Sequence, residues 1–301
     1  MTLTRHFIID LKILTMLKRL LVFMGLWAFL SLSGCEQSPD SKQTTETSDQ
    51  PSIILAVLPY DLPTNVQTHF EPFLQYLSQV THQQVKLYIA TSYEDQIQKV
   101  LSQQVDLAYM GATIYVKTQK VLTQSQLPPL KPIATEAPYK AAVVVHQEST
   151  LTNLSDLKNH RVAFGSYFSY TGHFAIRNEL KKAGVRLADL SFYSFLKRHH
   201  RSILSVVHHQ FDAAATPLGI AKRMIEQGYP IKILHTTETL APIVLATTAK
   251  FPTQIAQQIQ TALLTPDFNQ QIQLSLIKPE GFIQFDDAPY QKVSEILNLF
   301  E

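Results

Sequence analysis

The hydrophobic positions from residue 52 onward follow first the period of a strand and then the period of a helix. Ser52–Leu58 (SIILAVL) is a short apolar run that ends at Pro59, as a buried parallel strand does. Apolar residues at helical spacing follow at Val66, Phe70, Phe73, Leu77 and Val80. Next come strand Val85–Ile89, a helix through Ile97, Val100 and Leu101, and strand Val105–Tyr109. This β-α-β-α-β order predicts a parallel sheet covered by helices on both faces.

A second unit of the same order begins near Arg161. Its predicted elements are strand RVAFG from Arg161, a helix from about Gly172 to Ala183, strand Ser191–Phe195, helix Ser202–His209 and strand Phe211–Ala215. In both units a helix ends, a polar break follows, and an aspartate opens a buried strand: Asp106 in the first and Asp212 in the second. The chain is therefore predicted to contain two α/β lobes of related topology.

Two extended apolar segments, Ala141–His146 and Ile243–Thr247, are predicted to cross between the lobes. Helices from about Phe251 onward are expected to pack back on the first lobe. Lobe 1 then comprises residues 52–141 and 243–301, and lobe 2 comprises residues 142–242. Two lobes with a cleft between them suit the capture of a ligand by hinge closure.

The N-terminal region has the pattern of a signal peptide. Lys18 and Arg19 precede an apolar run that is shorter than the ~20 residues needed to cross a bilayer. The run ends in LSGC at Cys35, which resembles the lipobox of bacterial lipoproteins, whose cysteine is lipidated and becomes the first residue of the mature chain. Residues 1–35 are therefore predicted to be a lipoprotein signal peptide that anchors the protein to a membrane, with a chance lone cysteine as the alternative. Because residues 1–15 are unusual for such a signal, we hypothesise that translation starts at Met16 rather than Met1.

The composition excludes several classes of protein. Residues 36–50 carry no aliphatic or aromatic side chain, so residues 36–51 are predicted to be a flexible linker. The whole chain is 45% hydrophobic and 17% charged, which suits a protein with sizeable cores rather than a disordered one. Without its signal region the chain is nearly neutral and has no basic run, so no nucleic-acid partner is expected. Once the only cysteine is lipidated, no thiol is left for disulfides or thiol catalysis.

The stretch FGSYFSYTGH, from Phe164 to His173, is the most informative candidate for chemistry. It follows a predicted strand and opens a predicted helix, where unpaired N–H groups carry partial positive charge. The hydroxyls of Ser169, Tyr170 and Thr171 crowd onto this turn. An anion is the expected ligand there. The alternative is that Ser169 or Thr171 only caps the helix.

Several weak motifs extend over most of the chain in a specific order. They are FEPFLQYL from Phe70, VDLAYMG from Val105 with Tyr115, LSDLKNHRVAFG from Leu154, the Ser169–Gly172 turn, His200 ahead of Asp212, and GFIQFDDAPYQKV from Gly281. Together, from about Ile53 to Val293, they resemble the solute-binding lipoproteins of phosphonate, phosphite and phosphate ABC transporters.

The resemblance implies a fold, a function and partners. The implied fold class is α/β, a two-lobed periplasmic-binding-protein clamshell of type II, in which each lobe is a mainly parallel sheet flanked by helices. The implied function is the capture of a small phosphorus oxyanion for an ABC-transporter permease on the periplasmic side of the cell envelope, by a monomer without enzymatic activity. A ligand-sensing lipoprotein of the same fold, which signals to a partner in trans, stays open as an alternative.

The resemblance also implies ligand-binding residues. In the proteins that the chain resembles, the phosphonyl oxygens are held by a Ser-Thr-Ser turn, two tyrosines and a histidine. The corresponding residues here are Ser169, Tyr170 and Thr171 for the turn, Tyr93 and Tyr139 for the tyrosines, and His200 for the histidine. Tyr170 departs from the family's threonine, so its hydroxyl lies farther out and its ring is an alternative means of narrowing the cleft. For His200 the alternative is an ordinary histidine at a helix start.

A second departure concerns the ligand's tail. Aminoalkyl-phosphonate binders offer acidic residues to an ammonium group, whereas this chain has Pro217-Leu218-Gly219 and Leu240-Ala241-Pro242 in those places. A buried ammonium without a counter-charge is costly. The expected ligand is therefore phosphite, phosphate or a short alkylphosphonate.

Metal binding and catalysis find little support in the sequence. The pairs His199-His200 and His208-His209 are too far apart along a helix for one coordination shell, and no cysteine or carboxylate joins them at ligand spacing. No GxSxG, HExxH, GxGxxG or GxxxxGK[ST] pattern occurs. We therefore expect no metal, no cofactor and no enzymatic activity.

Three further tyrosines, Tyr60, Tyr109 and Tyr115, are predicted at strand ends that face the cleft. They either line the cleft or complete the core, and the sequence does not distinguish the two.

Overall fold

The computed structural model describes residues 52–301. The predicted signal peptide, the linker and Cys35 lie outside the described residues. Within residues 52–301, no helix is both long and apolar enough to span a membrane.

Short strands and helices alternate along this part of the chain. The strands are β1 (Ile53–Val57), β2 (Val85–Ile89), β3 (Leu107–Met110), β4 (Lys131–Glu136), β5 (Ala141–His146), β6 (Arg161–Phe164), β7 (Phe192–Phe195), β8 (Ala213–Pro217), β9 (Ile231–Thr236), β10 (Val244–Thr247) and β11 (Phe282–Ile283). The α-helices are α1 (Pro63–Thr81), α2 (Tyr93–Leu101), α3 (Ala112–Gln124), α4 (Ala175–Lys182), α5 (His199–Val207), α6 (Leu218–Glu226), α7 (Thr253–Leu264), α8 (Phe268–Ile277) and α9 (Ala288–Asn298). A π-helical turn, Tyr170–Phe174, leads directly into α4.

The strands form two sheets. The six-stranded sheet has the order β11-β4-β10-β3-β1-β2, and the five-stranded sheet has the order β7-β6-β8-β5-β9. In the first, β1 is parallel to β2 and β3, whereas β10 is antiparallel to β3 and β4. In the second, β6 is parallel to β7 and β8, whereas β5 is antiparallel to β8 and β9. Both sheets are therefore mixed rather than mainly parallel.

The antiparallel strands arise where the chain crosses between the sheets. The crossing segments are residues 137–140 and 237–243, and they are joined by a hydrogen bond of 2.8 Å from the Leu240 N–H to the Tyr139 carbonyl. The prediction that Ala141–His146 and Ile243–Thr247 form the crossings is wrong, because these residues form or enter β5 and β10. Each of these strands enters its sheet directly from a short segment, without the helical crossover that a parallel neighbour requires.

Helices cover both faces of each sheet. On the six-stranded sheet, α1, α7 and α8 pack on one face and α2, α3 and α9 on the other. On the five-stranded sheet, α4 packs on one face and α5 and α6 on the other. The prediction that the C-terminal helices pack on the first unit is confirmed. We call each sheet with its helices the six-stranded half and the five-stranded half.

The aspartates that open a buried strand in both predicted units make the same kind of hydrogen bond. The Asp106 carboxylate accepts a bond of 2.8 Å from the Ile54 N–H, at the start of β1. The Asp212 carboxylate accepts a bond of 2.7 Å from the Arg161 N–H, at the start of β6. Each aspartate therefore holds the strand that follows it in register with its parallel neighbour, and β3 and β8 begin just after it.

Several element boundaries differ from the predicted ones. Helix α5 begins at His199 rather than at Ser202, and Tyr115 lies in α3 rather than at a strand end. The predicted helix from about Gly172 is a π-helical turn followed by α4, a geometry that periodicity alone does not distinguish. The pattern does not predict α3, β4, α6 or β9, in which polar residues interrupt the apolar positions.

Candidate functional site

A cavity of about 620 Å³ lies between the two halves. Its walls include the residues that follow β1 and β3 on one side, and the loop after β6 with the first turns of α5 and α6 on the other. All of the ligand-binding residues predicted from the sequence line this one cavity: Tyr93, Tyr139, Ser169, Tyr170, Thr171 and His200.

The loop after β6 folds back on itself before α4 begins. The Gly165 N–H donates to the Gly172 carbonyl at 2.9 Å, and the Gly172 N–H donates to the Ser169 hydroxyl oxygen at 2.9 Å. Ser169 therefore caps the π-helical turn, as the alternative interpretation had it. A hydroxyl that accepts one hydrogen bond keeps its own proton. Capping by Ser169 is thus compatible with donation to a ligand.

Thr171 completes a pair of buried hydroxyls on this turn. Ser169 is 5% exposed and Thr171 is 4% exposed, and their hydroxyl oxygens are 3.5 Å apart. At that distance the two hydroxyls interact weakly. The contact between the two hydroxyls therefore does not tie up either proton.

Tyr93 reaches this turn from the opposite half. It is the first residue of α2 and is buried. Burial raises the pKa of Tyr93 to about 12, against the lowering effect of hydrogen bonds with the Ser169 and Ser166 side chains. The phenol is therefore a neutral donor at physiological pH, next to the donors of the turn.

Tyr139 lies on the first crossing segment, between the two halves. Burial is the main cause that raises its pKa, and the neighbouring Glu136 carboxylate adds to the effect, followed by other tyrosines that include Tyr170 and Tyr93. The Tyr139 phenol therefore stays protonated at physiological pH.

Tyr170 is the residue that departs from the family pattern. It belongs to the five-stranded half, yet with Phe174 and Ala175 it packs into a core cluster of the six-stranded half. Burial raises the pKa of Tyr170 to about 12, with a smaller contribution from Glu179. The ring therefore fills space between the halves, and the residue also lines the cavity.

His199 also lines the cavity, and the sequence analysis did not select it. It is 7% exposed, and its Nδ1 atom has no hydrogen-bond partner among the described residues. Burial lowers the pKa of His199 to about 4, with a smaller effect from His200. A neutral imidazole with an unpartnered nitrogen therefore faces the turn. His200 is half-buried and lines the same cavity.

The signal that could have identified His199 is the apolar period of α5. His199, Ile203 and Val206 are buried on one face of this helix. That spacing of four and three residues is the helical stripe that sequence analysis uses. A helix predicted to begin only at Ser202 leaves His199 outside this stripe.

The structure shows which of Tyr60, Tyr109 and Tyr115 line the cavity and which complete the core. Tyr60 and Tyr109 line the cavity. Tyr115 completes the core, because its ring packs edge-on against Phe285 and Tyr290.

Two carboxylates line the cavity, although neither comes from the stretches Pro217–Gly219 and Leu240–Pro242. Glu136 lines it and accepts hydrogen bonds from the Tyr109 hydroxyl and from the Lys278 ammonium group. Asp61 lines it as well and accepts bonds from the Leu62 N–H at 2.7 Å and the Asn65 amide at 3.3 Å. Both carboxylates therefore already accept hydrogen bonds from groups of the protein itself.

Metal ligation is not supported by the arrangement of side chains. In residues 52–301, no group of three histidine, cysteine, aspartate or glutamate side chains is placed to hold an ion. The site is built from hydroxyls, phenols and imidazoles instead.

Comparison with known proteins assigns the family. Residues 55–290 match the family described as ABC transporter, phosphonate, periplasmic substrate-binding protein. The chain belongs to this family. It is thus a periplasmic substrate-binding protein of the phosphonate ABC-transporter group. This is a family of solute-binding proteins and not of enzymes, in agreement with the predicted binding without turnover.

Individual relatives agree with this assignment. The chain is 23% identical over 275 residues to the phosphate-import protein PhnD of Mycolicibacterium smegmatis, covering 85% of this chain and 83% of that protein. Its fold is similar to that of PhnD1 from Prochlorococcus marinus in complex with methylphosphonate, with a TM-score of 0.72 and 19% identity over 82% of this chain and 97% of the other. A binding component of an ABC phosphonate transporter from Pseudomonas aeruginosa gives a TM-score of 0.71 and 18% identity over 83% and 86% of the two chains. The predicted type II clamshell class is confirmed, with mixed sheets.

Proposed function

We propose that this member of the phosphonate-binding family is a lipid-anchored protein that captures phosphite, phosphate or a short alkylphosphonate for an ABC importer. The observation that carries the proposal is the convergence of neutral donors from both halves on one space. The five-stranded half contributes Ser169 and Thr171, and the six-stranded half contributes Tyr93.

A tetrahedral oxyanion suits this arrangement because its oxygens point in several directions and each accepts hydrogen bonds. Ser169 and Thr171 offer hydroxyl protons, and Tyr93 and Tyr139 offer phenols that stay protonated. His199 adds a neutral imidazole to the same wall. His200 remains a predicted donor on the same wall. Hydrogen bonds to a charged acceptor are stronger than those between neutral groups. Neutral donors therefore suffice for an anion.

The cavity favours a phosphorus ligand whose tail carries no positive charge. The two carboxylates on its walls, Asp61 and Glu136, are already bonded within the protein. An ammonium group on the ligand would have to displace one of these contacts or stay unpaired, and both are costly. The names of two relatives, one a phosphate importer and one bound to methylphosphonate, point in the same direction.

Calorimetry on the purified protein tests this function. We expect binding of at least one of phosphite, phosphate and methylphosphonate, and much weaker binding of 2-aminoethylphosphonate. Sulfate serves as the control for a tetrahedral anion without phosphorus. Binding of 2-aminoethylphosphonate while the three expected ligands give no heat would refute the proposed ligand class.

The lipid anchor requires a separate test. We propose that Cys35, in the lipobox-like LSGC segment, is lipidated and holds the protein on the periplasmic side of the envelope. Metabolic labelling with a fatty acid should mark the wild-type chain and leave the Cys35→Ser variant unmarked. Equal labelling of both chains would disprove it.

A further inference from the structure

The cavity is larger than a phosphorus oxyanion requires. Its volume of about 620 Å³ corresponds to roughly 20 water molecules at liquid density. The donors around Ser169 occupy only one part of its wall. A second group of polar residues lines the rest, and the proposed function gives these residues no role.

The two groups come from different faces of the sheets, except that His199 of α5 reaches the Ser169 turn from the face that carries α6. Tyr93 begins α2, and the Ser169 turn leads into α4. The second group comes from the other faces: Tyr60 and His69 from the β1–α1 connection and α1, and Arg223 from α6. Tyr139, on the crossing segment that joins the two halves, lines the same cavity. The cavity therefore has a head end near Ser169 and a far end near Arg223.

The far end carries two cations, Arg223 and Lys278, and two carboxylates, Asp61 and Glu136. Arg223 is an exposed residue of α6 that lines the cavity, and no carboxylate lies within ion-pair distance of it among residues 52–301. The other cation, Lys278, is paired with Glu136 and lies 5.3 Å from the centre of the Tyr109 ring. Burial lowers the pKa of His69, and the positive charges of Lys278 and Arg223 add to that effect, partly opposed by Glu136.

We infer that the far end is an anion subsite in which Arg223, assisted by Tyr60, His69 and Lys278, binds a carboxylate at the distal end of a phosphonate ligand. The inference rests on the proposed function for the phosphonyl head group. A guanidinium group holds a carboxylate through two parallel hydrogen bonds, which a single ammonium group does not match. The substrate class is thus extended to short phosphonates that end in a carboxylate.

The position of Arg223 also links this subsite to both halves. Arg223 belongs to the five-stranded half, whereas Tyr60, His69 and Lys278 belong to the six-stranded half. A ligand with an anionic group at each end would then contact both halves at the head end and again at the far end. A bare oxyanion would contact both halves at the head end only.

Calorimetry with matched ligands tests the inference. 3-Phosphonopropionate and n-propylphosphonate share the phosphonyl group and the chain length, and only the first carries a carboxylate. We expect the wild-type protein to bind 3-phosphonopropionate about tenfold more tightly, a preference of the size expected for one charged hydrogen-bonded pair. The Arg223→Gln variant should lose this preference and keep its affinity for propylphosphonate. The Lys222→Gln variant, which removes a neighbouring exposed cation outside the cavity, should keep the preference.

The outcomes separate this inference from the proposed function. Equal affinity of the wild-type protein for the two ligands, or a preference that survives in Arg223→Gln, would overturn the far subsite while leaving phosphonyl binding intact. A preference lost equally in Lys222→Gln would also overturn it, because general attraction by positive charge would then explain the difference. Failure of the wild-type protein to bind either ligand, methylphosphonate, phosphite or phosphate would overturn both proposals.

Discussion

His199 packs directly against Gly172, so closely that the turn has no room for a side chain there. A Cβ atom on residue 172 would lie 2.8 Å from Cε1 of His199 and 3.0 Å from the hydroxyl oxygen of Ser169. Gly165, at the other end of the turn, is packed against the same imidazole ring, and a Cβ atom there would lie 3.1 Å from Cε1 of His199. The two glycines therefore let the buried histidine approach the backbone of the turn.

Substitution Gly172→Ala should displace either His199 or Ser169 and disrupt both the cap and the proposed donor set. We expect the affinity for methylphosphonate or phosphate to fall at least about tenfold and the free energy of unfolding to fall by roughly 1–3 kcal/mol. Calorimetry and urea unfolding measure the two effects. For stability, Gly219→Ala is the control, because no atom lies within 4 Å of its added Cβ. Unchanged affinity in Gly172→Ala would show that the turn does not hold the ligand.

Thr171→Val removes a hydroxyl with almost no change in shape. The Thr171 hydroxyl has only the long contact with Ser169, so the stability should change by less than about 1 kcal/mol. Ligand affinity should fall roughly 5- to 30-fold, as expected for one hydrogen bond to a charged group. Titration calorimetry of wild-type and variant protein measures this loss.

The matched control is Thr216→Val in β8. Thr216 is buried, its hydroxyl has no partner among the described residues, and it does not line the cavity. Its substitution should leave affinity unchanged. A similar loss of affinity in both variants would indicate a general disturbance rather than a contact between Thr171 and the ligand.

The adjacent histidines His199 and His200 should contribute unequally to binding. His199 is buried with an unpartnered Nδ1 atom, whereas His200 is half-buried on the same wall. A hydrogen bond made by the more buried group is worth more, because its loss leaves an unsatisfied acceptor in a low-dielectric space. We expect His199→Gln to weaken ligand binding at least about fivefold more than His200→Gln. The reverse order in binding assays would assign the histidine of the site to His200 instead.

Acid should destabilise the protein through two buried histidines. Burial lowers the pKa values of His173 and His199 to about 4, whereas a histidine in the unfolded chain titrates near 6.5. Below pH 6.5 the unfolded chain therefore binds more protons than the folded protein, so stability is lost as the pH falls from about 6.5 toward 4. Each histidine should contribute on the order of 2 kcal/mol to this loss.

Urea unfolding between pH 7.5 and pH 4.5 measures this dependence. The His199→Gln variant should show a shallower decline in the free energy of unfolding than the wild-type protein. The His208→Gln variant, which changes an exposed histidine of the same region, should follow the wild-type curve. Parallel curves for all three proteins would rule out His199 as a source of the acid sensitivity.

The sequence by itself determined the elements that rest on a strong local pattern. Strand Val85–Ile89 has the predicted bounds, and the helix through Phe70 and Phe73 lies where its apolar stripe predicts it. The hydroxyl-rich turn at Ser169 was also readable, because its glycines, hydroxyls and helix start are neighbours in the chain. Tyr93, Tyr139 and His200 came from the family resemblance, since nothing in their local pattern sets them apart.

Only the tertiary structure decided which distant residues meet. The mixed order of the sheets follows from the crossing segments, and an apolar run does not record the direction in which its strand will pair. The burial of His199 depends on where α5 begins, and its neighbour Gly172 lies on a different segment of the chain. Tyr60, Arg223 and Lys278 share one end of the cavity although long stretches of chain separate them. A local pattern encodes periodicity and caps, whereas contacts of this range arise only when both sheets are packed.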